Sequence, residues 1–318
     1  MPYEIVAEDF RIPSDTDGIE LFLRNKRPKS AEHRSPERTL LYVHGTSQAA
    51  EATFDLALDG YSWMDYLAAR GWDVFMVDLR GYGRSSRPSE MRAPADANPP
   101  IVTTDVALRD FGAAADFIRR RRGIARLAIM GWSWGTVIVA AYAARHPEAV
   151  SKLVLFAPVW LRQRRPADER PLGAYATWTV EEARVNLQTG APEEKRDSLL
   201  PAGWFAAWKD AALATDPEGA RQSPPVVRTP NGAPHDSRAH WASGKPYYDP
   251  AEIAAPTLIV HGEWDGLLPL SMAEAIFAKL SRAPQKRLVE IGEGTHLLLI
   301  EKNRLQLFRE VQLFLDES

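Results

Sequence analysis

The chain has 318 residues, 39 Lys and Arg against 42 Asp and Glu, and no cysteine. That length supports a large apolar core, in one domain with an insertion or in two domains. A formal charge of −3 gives no reason to expect a nucleic-acid face, and the missing thiols exclude disulfides, a cysteine nucleophile and thiolate metal sites.

The opening Met1-Pro2-Tyr3-Glu4-Ile5 has neither a basic region nor a long apolar one behind it. No apolar run approaches the ~20 residues of a membrane span. A soluble cytoplasmic protein with no membrane partner is the expectation. Residues 3–12 and 19–23 read as two strands around the hairpin signal Asp17-Gly18, where glycine accepts the positive φ of a tight turn. Residues 25–38 are charged and carry Pro28 and Pro36, so they read as an exposed connection. A buried strand is expected at 40–43, ending in His44-Gly45-Thr46-Ser47. A helix follows at 61–70 with Trp63, Met64, Tyr66 and Leu67 on its apolar side, then a strand at 72–77.

Asp78-Leu79-Arg80-Gly81-Tyr82-Gly83-Arg84-Ser85 comes next. Two glycines suggest a phosphate loop, but no third one stands at Ser86 and no helix begins there, so a shaped loop is the better reading. Residues 104–122 form a long amphipathic helix whose four terminal arginines complement the negative end of its dipole.

The central stretch is 127–135, Leu-Ala-Ile-Met-Gly-Trp-Ser-Trp-Gly. A short apolar strand breaks at Gly131-Trp132-Ser133-Trp134-Gly135 and a helix starts at once, over 134–145, with His146 as a C-terminal cap. This is Gly-x-Ser-x-Gly in a strand–turn–helix setting, the pattern of a nucleophile elbow. Ser133 must sit on a strained turn to project its hydroxyl, and side chains two residues to either side would collide, so glycines flank it. The next helix points its positive end at the turn, where an oxyanion would develop.

A buried strand at 153–156 follows, and the texture then changes. Residues 160–250 are rich in Pro, Gly and charge, with short helices at 180–187 and 204–213, and they read as an inserted cap. Trp178, Trp204, Trp208, Trp241, Tyr175, Tyr247 and Tyr248 lie in it, either lining an apolar pocket or forming the cap's own core. The strand rhythm returns at 257–260, before His261-Gly262-Glu263-Trp264-Asp265-Gly266, and again at 287–291, before Gly292-Glu293-Gly294-Thr295-His296. A helix over 301–314 closes the chain.

These landmarks resemble the α/β-hydrolase superfamily. The likeness rests on His44-Gly45, the 78–85 loop, the elbow and the segments around Asp265 and His296, in that order. It covers the chain before about residue 160 and after about residue 250. It implies an α/β fold with a mostly parallel central sheet, divided as core 1–159, cap 160–250 and core 251–318. It also implies a catalytic triad of Ser133, Asp265 and His296, with Glu263 as the other candidate for the acid. The backbone N–H groups of Thr46 and Trp134 are implied as the oxyanion hole. His44, with the base role filled by His296, is expected to brace its loop.

The chemistry expected of these groups is acyl transfer: His296 takes the Ser133 proton and later protonates the leaving group, and Asp265 orients the imidazole. Trp132, Trp264, Trp178, Trp204 and Trp208 are expected to contribute to a substrate pocket, although Trp132 can instead pack under the elbow. Serine at the elbow argues against the epoxide hydrolases and haloalkane dehalogenases of the superfamily, which carry aspartate there. The leading function is hydrolysis of an apolar or aryl-bearing carboxylic ester, with a small molecule as the partner and no cofactor or metal. The alternatives are an aminopeptidase similar to the proline iminopeptidases, an acyltransferase and a non-catalytic binding protein. The first needs a cap carboxylate, from Glu181, Glu182, Glu193 or Glu194, and this chain lacks the His-Gly-Gly-Pro-Gly of that branch after His44.

Overall fold

At the Asp17-Gly18 reversal, Gly18 takes φ +78°. The turn joins β1 (Ile5–Pro13) to β2 (Glu20–Pro28), which pair antiparallel along their whole length. The computed structural model describes residues 4–30, 35–162 and 170–317. In it β2 runs further than its composition suggests: residues 25–28 are strand, not exposed connection. The charges that read as loop are neutralised across the sheet edge. Arg24 pairs with Asp9 and Glu51, Lys26 with Asp55 and Asp65, and Arg27 with Glu8. Asn25 is fully buried and donates to Asp73 Oδ1 at 2.6 Å and to the Val74 carbonyl at 3.0 Å. Tyr3 and residues 31–34, parts of the expected first strand and connection, lie outside the described residues.

Strand and helix then alternate through β3 (Thr39–Val43), α1 (Trp63–Ala68), β4 (Asp73–Asp78), α2 (Thr104–Arg122), β5 (Leu127–Trp132), α3 (Trp134–Arg145) and β6 (Val150–Phe156). Every residue of β3, β4 and β5 is buried, as in strands covered on both faces. α1 is shorter than its apolar pattern because Ser62 and Asp65 cap it reciprocally. α2 stops at Gly123, whose φ of +65° is free of strain only for glycine. His146 follows α3, its ring 4.7 Å from that of Tyr142.

After β6 the chain leaves the sheet for a long excursion. It holds β7 (Tyr175–Trp178), α4 (Val180–Leu187), α5 (Glu193–Leu199), α6 (Ala202–Ala214), β8 (Val227–Pro230) and α7 (Gly232–Ala239). Residues 163–169, at the expected start of the insertion, lie outside the described residues. The chain rejoins the sheet in β9 (Thr257–Gly262), directly beside β6, and ends with α8 (Leu270–Lys279), β10 (Lys286–Ile291) and α9 (Arg304–Asp316). α9 begins later than expected, because Glu301 turns inward and is wholly buried.

The eight strands are ordered β1-β2-β4-β3-β5-β6-β9-β10, antiparallel at β1–β2 and β2–β4 and parallel elsewhere. From β3 the chain steps outward to β4, then crosses back over β3 to β5. The order therefore reverses between β3 and β5, and in open α/β sheets the crevice at the carboxyl ends of such strands is where ligands bind. The parallel strands carry Thr46, Ser133, Asp265 and His296 to that one edge.

The excursion is fastened to the sheet domain by polar contacts from its aromatic residues. Trp208 is fully buried and donates to Gln48 Oε1 at 3.2 Å, and Trp204 donates to Asp59 at 3.2 Å with Arg304 stacked 4.0 Å over its ring. Gly266 N–H donates to the Thr189 carbonyl at 2.7 Å, and Gln188 Nε2 to Glu301 at 3.0 Å. The Pro-rich segment after β4 joins the same seam: Tyr175 donates to the Ala93 carbonyl and Arg228 to that of Met91.

Candidate active site

Ser133 stands between β5 and α3 with φ 55° and ψ −122°, a conformation costly for any residue with a side chain. The flanking glycines make it possible. A Cβ on Gly131 would come within 2.3 Å of the Gly135 carbonyl oxygen, and one on Gly135 within 2.7 Å of the carbonyl oxygens of Val43 and His44. Gly45 has the same use, since a Cβ there would press on that of Ser133 at 3.1 Å. The end of β3 and the start of α3 are thus in backbone contact around Ser133.

His296 and Asp265 come from the loops after β10 and β9, and both are nearly fully buried. His296 Nδ1 lies 2.7 Å from Asp265 Oδ2, while Asp265 Oδ1 accepts the backbone N–H groups of Leu267 and Leu268, each at 3.0 Å. A carboxylate accepts only, so Nδ1 donates in this bond and Nε2 is the ring nitrogen not engaged by Asp265. Burial alone pushes the Asp265 carboxyl upward, but the charge and hydrogen bond of His296 and the Leu268 N–H outweigh it and hold the group below its ordinary value. Glu263 instead accepts the Glu293 backbone N–H at 2.9 Å.

The loop after β3 is braced from below. His44 Nδ1 lies 2.7 Å from the Gly45 carbonyl and its Nε2 accepts the Leu79 N–H. Burial pushes this imidazole down to about 4, so it is neutral at neutral pH. Tyr82 donates to the Thr46 carbonyl at 2.8 Å, and buried Asp78 accepts the N–H groups of Ala50 and Arg84. Gly83 allows that closure, because a Cβ would fall 2.0 Å from Asp78 Oδ2. The 78–85 segment is therefore a strut for the 44–50 loop. Among the described residues, the backbone N–H groups of Thr46 and Trp134 have no partner.

A cavity of about 260 Å³ brings Ser133, His296, Thr46 and Trp134 together. Leu267 and Leu268 wall it from the Asp265 loop, Val159 and Arg162 from the exit of β6, and Ala233, Pro234, Ser237, Arg238 and Trp241 from α7 and just beyond. Ser133 Oγ makes no hydrogen bond among the described residues.

None of the five tryptophans expected at the pocket is among its lining residues. Trp132 lies beneath the elbow, donating to the His296 carbonyl at 3.1 Å. Trp264 is tied through its backbone N–H to Gly294, and Trp178 donates to Thr229 across β7 and β8. Trp204 and Trp208 form the seam. An indole N–H out of water needs a partner, and polar seams supply one more readily than an apolar pocket. Trp241, one of the aromatic residues offered to a pocket by composition, does line the cavity, whereas Arg162 and Arg238 sit in a Pro-, Gly- and charge-rich stretch whose periodicity gives no hint of them.

Glu301 likewise has no signal in the sequence that would single it out. Its carboxylate accepts Thr295 N–H at 3.1 Å, Thr295 Oγ1 at 2.7 Å and Gln188 Nε2 at 3.0 Å, and Thr295 is next to His296 in sequence. Burial raises its pKa, opposed by those bonds. A larger crevice of about 620 Å³ opens at the other end of the sheet around Arg38, Trp72 and Lys152, but the Lys152 ammonium there is occupied by the Phe314 and Leu315 carbonyls, and among the described residues Ser151 lines it with no histidine beside it. Among the described residues, no cluster of His, Asp or Glu could hold a metal ion, and no helix is long and apolar enough to cross a membrane.

The chain is similar to a (lyso)-N-acylphosphatidylethanolamine lipase of Mus musculus, 34% identical over 122 residues, which is 38% of this chain. It spans about a third of that relative's length, 32%. It is also similar to a proline iminopeptidase of Neisseria meningitidis, 35% identical over 252 residues, covering 69% of this chain and 74% of the relative. In structure it resembles a thermophilic esterase from Thermogutta terrifontis at a TM-score of 0.63, with 16% identity over 97% of this chain and 98% of the other. Residues 38–303 match the alpha/beta hydrolase fold family, and with the sheet order and the Gly-x-Ser-x-Gly turn already described, the chain belongs to that family of hydrolases.

Proposed function

We propose that this protein hydrolyses a small carboxylic ester through an acyl-enzyme formed on Ser133. The observation that carries this reading is one arrangement: His296, bonded through Nδ1 to Asp265, lines the same cavity as a serine held at positive φ. With Nδ1–H directed at Asp265, Nε2 is the atom that takes the Ser133 proton as Oγ attacks the ester carbonyl. The tetrahedral oxyanion then meets the free N–H groups of Thr46 and Trp134, each worth roughly 3 kcal/mol to the transition state. The imidazolium, stabilised by Asp265, protonates the leaving alcohol, and water repeats the sequence to release the acid. Catalytic hydrogen bonds are often long or unmade in the free enzyme, so an unbonded Ser133 Oγ is compatible with this role. Residues 160–250 act in this reading as a cap, whose α7 supplies one wall of the cavity.

The character of that wall favours an ester over a peptide with a free amine. An aminopeptidase needs a carboxylate to hold an ammonium group. Glu181 pairs with Lys209, Glu182 caps α4 through Thr179, and Glu193 and Glu194 are in the first turn of α5. None of these four lines the cavity. Acyl transfer to an alcohol or thiol uses the same groups and differs only in the acceptor.

The test is a parallel rate comparison of 4-nitrophenyl esters of graded acyl length and the 4-nitroanilides of proline, alanine and leucine, with Ser133→Ala as control. Ester turnover that disappears in Ser133→Ala is the expected result. Rapid anilide turnover dependent on a free amine would transfer the assignment to an aminopeptidase. Full activity of Ser133→Ala would remove the mechanism.

A further inference from the structure

We infer that the ester taken by this cavity carries a carboxylate, held between Arg162 and Arg238. The inference rests on the ester-hydrolase reading and names the substrate class within it.

The cavity has a definite electrical character. Among the described residues that line it, only Arg162 and Arg238 bear a fixed charge, and none is Asp or Glu. Both arginines are partly covered, and among the described residues neither has an acidic partner. Elsewhere in the fold, well-covered arginines are matched: Arg80 by Asp110 and Asp15, Arg122 by Asp73, Arg228 by Asp216 and Glu218. Two like charges around a space this small repel each other, and losing water makes that worse. An anion between them removes the conflict.

The groups are also oriented for it. Arg162 spends one donor on Ser237 Oγ at 3.1 Å, and its backbone N–H bonds the Trp241 carbonyl at 2.9 Å. Ser237 and Arg238 both belong to α7 and both line the cavity, so this contact fixes the first guanidinium against the wall that carries the second. The remaining fork of N–H donors suits the two oxygens of a carboxylate. About 260 Å³ lies below the ~300–1,000 Å³ of pockets for drug-sized ligands. A short chain between the ester and its carboxylate suits that space.

The test compares substrates matched in shape and differing in charge. Monoethyl adipate is set against the ethyl ester in which an isopropyl group replaces the carboxylate, with acid release followed by pH-stat. The acetyl ester of a short hydroxy acid, set against its neutral isostere, tells whether the anion is on the alcohol side. Wild-type protein is expected to prefer the anionic member of at least one pair by tenfold or more in kcat/KM. Arg162→Gln and Arg238→Gln are each expected to lose about tenfold or more on that substrate, as for a hydrogen bond to a charged group. Both should lose much less on the neutral isostere than on the anionic substrate, so that the ratio of the two rates falls. Arg238→Lys, which keeps the charge without the fork, should retain part of the preference. Equal rates within both pairs, or a preference that survives both Gln variants, would overturn the inference. Labelling of Ser133 by a fluorophosphonate separates the two levels. If Ser133 is labelled and neutral esters turn over without any anionic preference, only the carboxylate assignment fails. If Ser133 is not labelled and no ester turns over, the hydrolase reading fails with it.

Discussion

The indole of Trp132 donates to the backbone carbonyl of His296 at 3.1 Å, and the two rings lie 5.4 Å apart. Trp132 is the last residue of β5, immediately before Ser133, so this contact ties the strand of the proposed nucleophile to the loop of the proposed base. Two strands that are not adjacent in the sheet are thereby held to a common geometry. Trp132→Phe keeps most of the packing but leaves a buried carbonyl without its donor. The expected cost is about 1–3 kcal/mol of stability, with a larger fall in kcat than in substrate binding. Urea unfolding and steady-state kinetics on the same preparation check it. Unchanged kcat would mean that the His296 loop needs no such tie.

Ser133→Ala and His296→Ala should each lower turnover by roughly 10⁴–10⁶-fold, because the groups of a triad act as a unit. The double variant should be little worse than either single one. Ser133→Ala leaves neither a large cavity nor an unpaired charge, so its thermal midpoint should stay within a few degrees of wild type, whereas His296→Ala takes the imidazole from the buried Asp265 carboxylate and should lower the midpoint further. Additive losses in the double variant would separate the two residues mechanistically.

Asp265→Asn should cost about 10⁴-fold in turnover, since an amide permits the wrong imidazole tautomer. It should also change acid stability. The Asp265 carboxyl is held below its ordinary value in the folded protein, so its contribution is present above the unfolded value near ~3.9 and is lost as pH falls through the depressed one. Wild type should therefore lose stability below about pH 4 more steeply than Asp265→Asn. Urea unfolding at pH values between neutral and acid measures the difference, and parallel curves would exclude this contribution.

Much of the sheet domain is legible in the sequence because it is written in local terms. Apolar runs bounded by glycine mark β3, β5 and β9, and α2, α3 and α4 begin and end where their periodicity does. The ends of β2 and α9 are not legible, for a shared reason. Lys26, Arg27 and Glu301 look like loop or surface residues, and only partners distant in sequence or brought in by a turn, Asp55, Glu8 and Thr295, make them interior or strand residues. The aromatic residues of the excursion mislead in the opposite direction. Composition offers Trp204 and Trp208 to a pocket, but their N–H groups find Asp59 and Gln48 at the seam. Arg162 and Arg238 have no local signature at all, since what distinguishes them is that no acid among the described residues pairs with them.

Gly135→Ala should be more damaging than its place in a helix suggests. A Cβ there would stand 2.7 Å from two backbone carbonyl oxygens, of Val43 and His44, which cannot turn aside as a side chain can. Either α3 or the loop bearing Thr46 must shift, and the two proposed oxyanion donors separate. Loss of one such donor costs about 10²–10³-fold in kcat. The expected result is a fall of that size together with reduced stability, read by steady-state rates and thermal unfolding. A fully active, stable Gly135→Ala would show that the contact is not maintained in solution.

Glu301→Gln tests whether a buried carboxylate steadies the His296 loop. Burial raises the Glu301 pKa above its unfolded value near ~4.3, so its favourable contribution is present below that value and declines as pH rises through the raised one. The glutamine amide cannot ionise, so the variant's stability relative to wild type should improve as pH rises through the raised value. At the same time it loses one acceptor for Thr295 N–H or Oγ1, which should lower kcat a fewfold with little change in KM. Glu301→Ala leaves Thr295 and Gln188 without this partner altogether and should fall further in both kcat and stability, by about 1–3 kcal/mol in the latter. A stability difference that does not vary with pH would contradict the raised value, and unaltered kcat in both variants would make Glu301 a fastening for α4 alone.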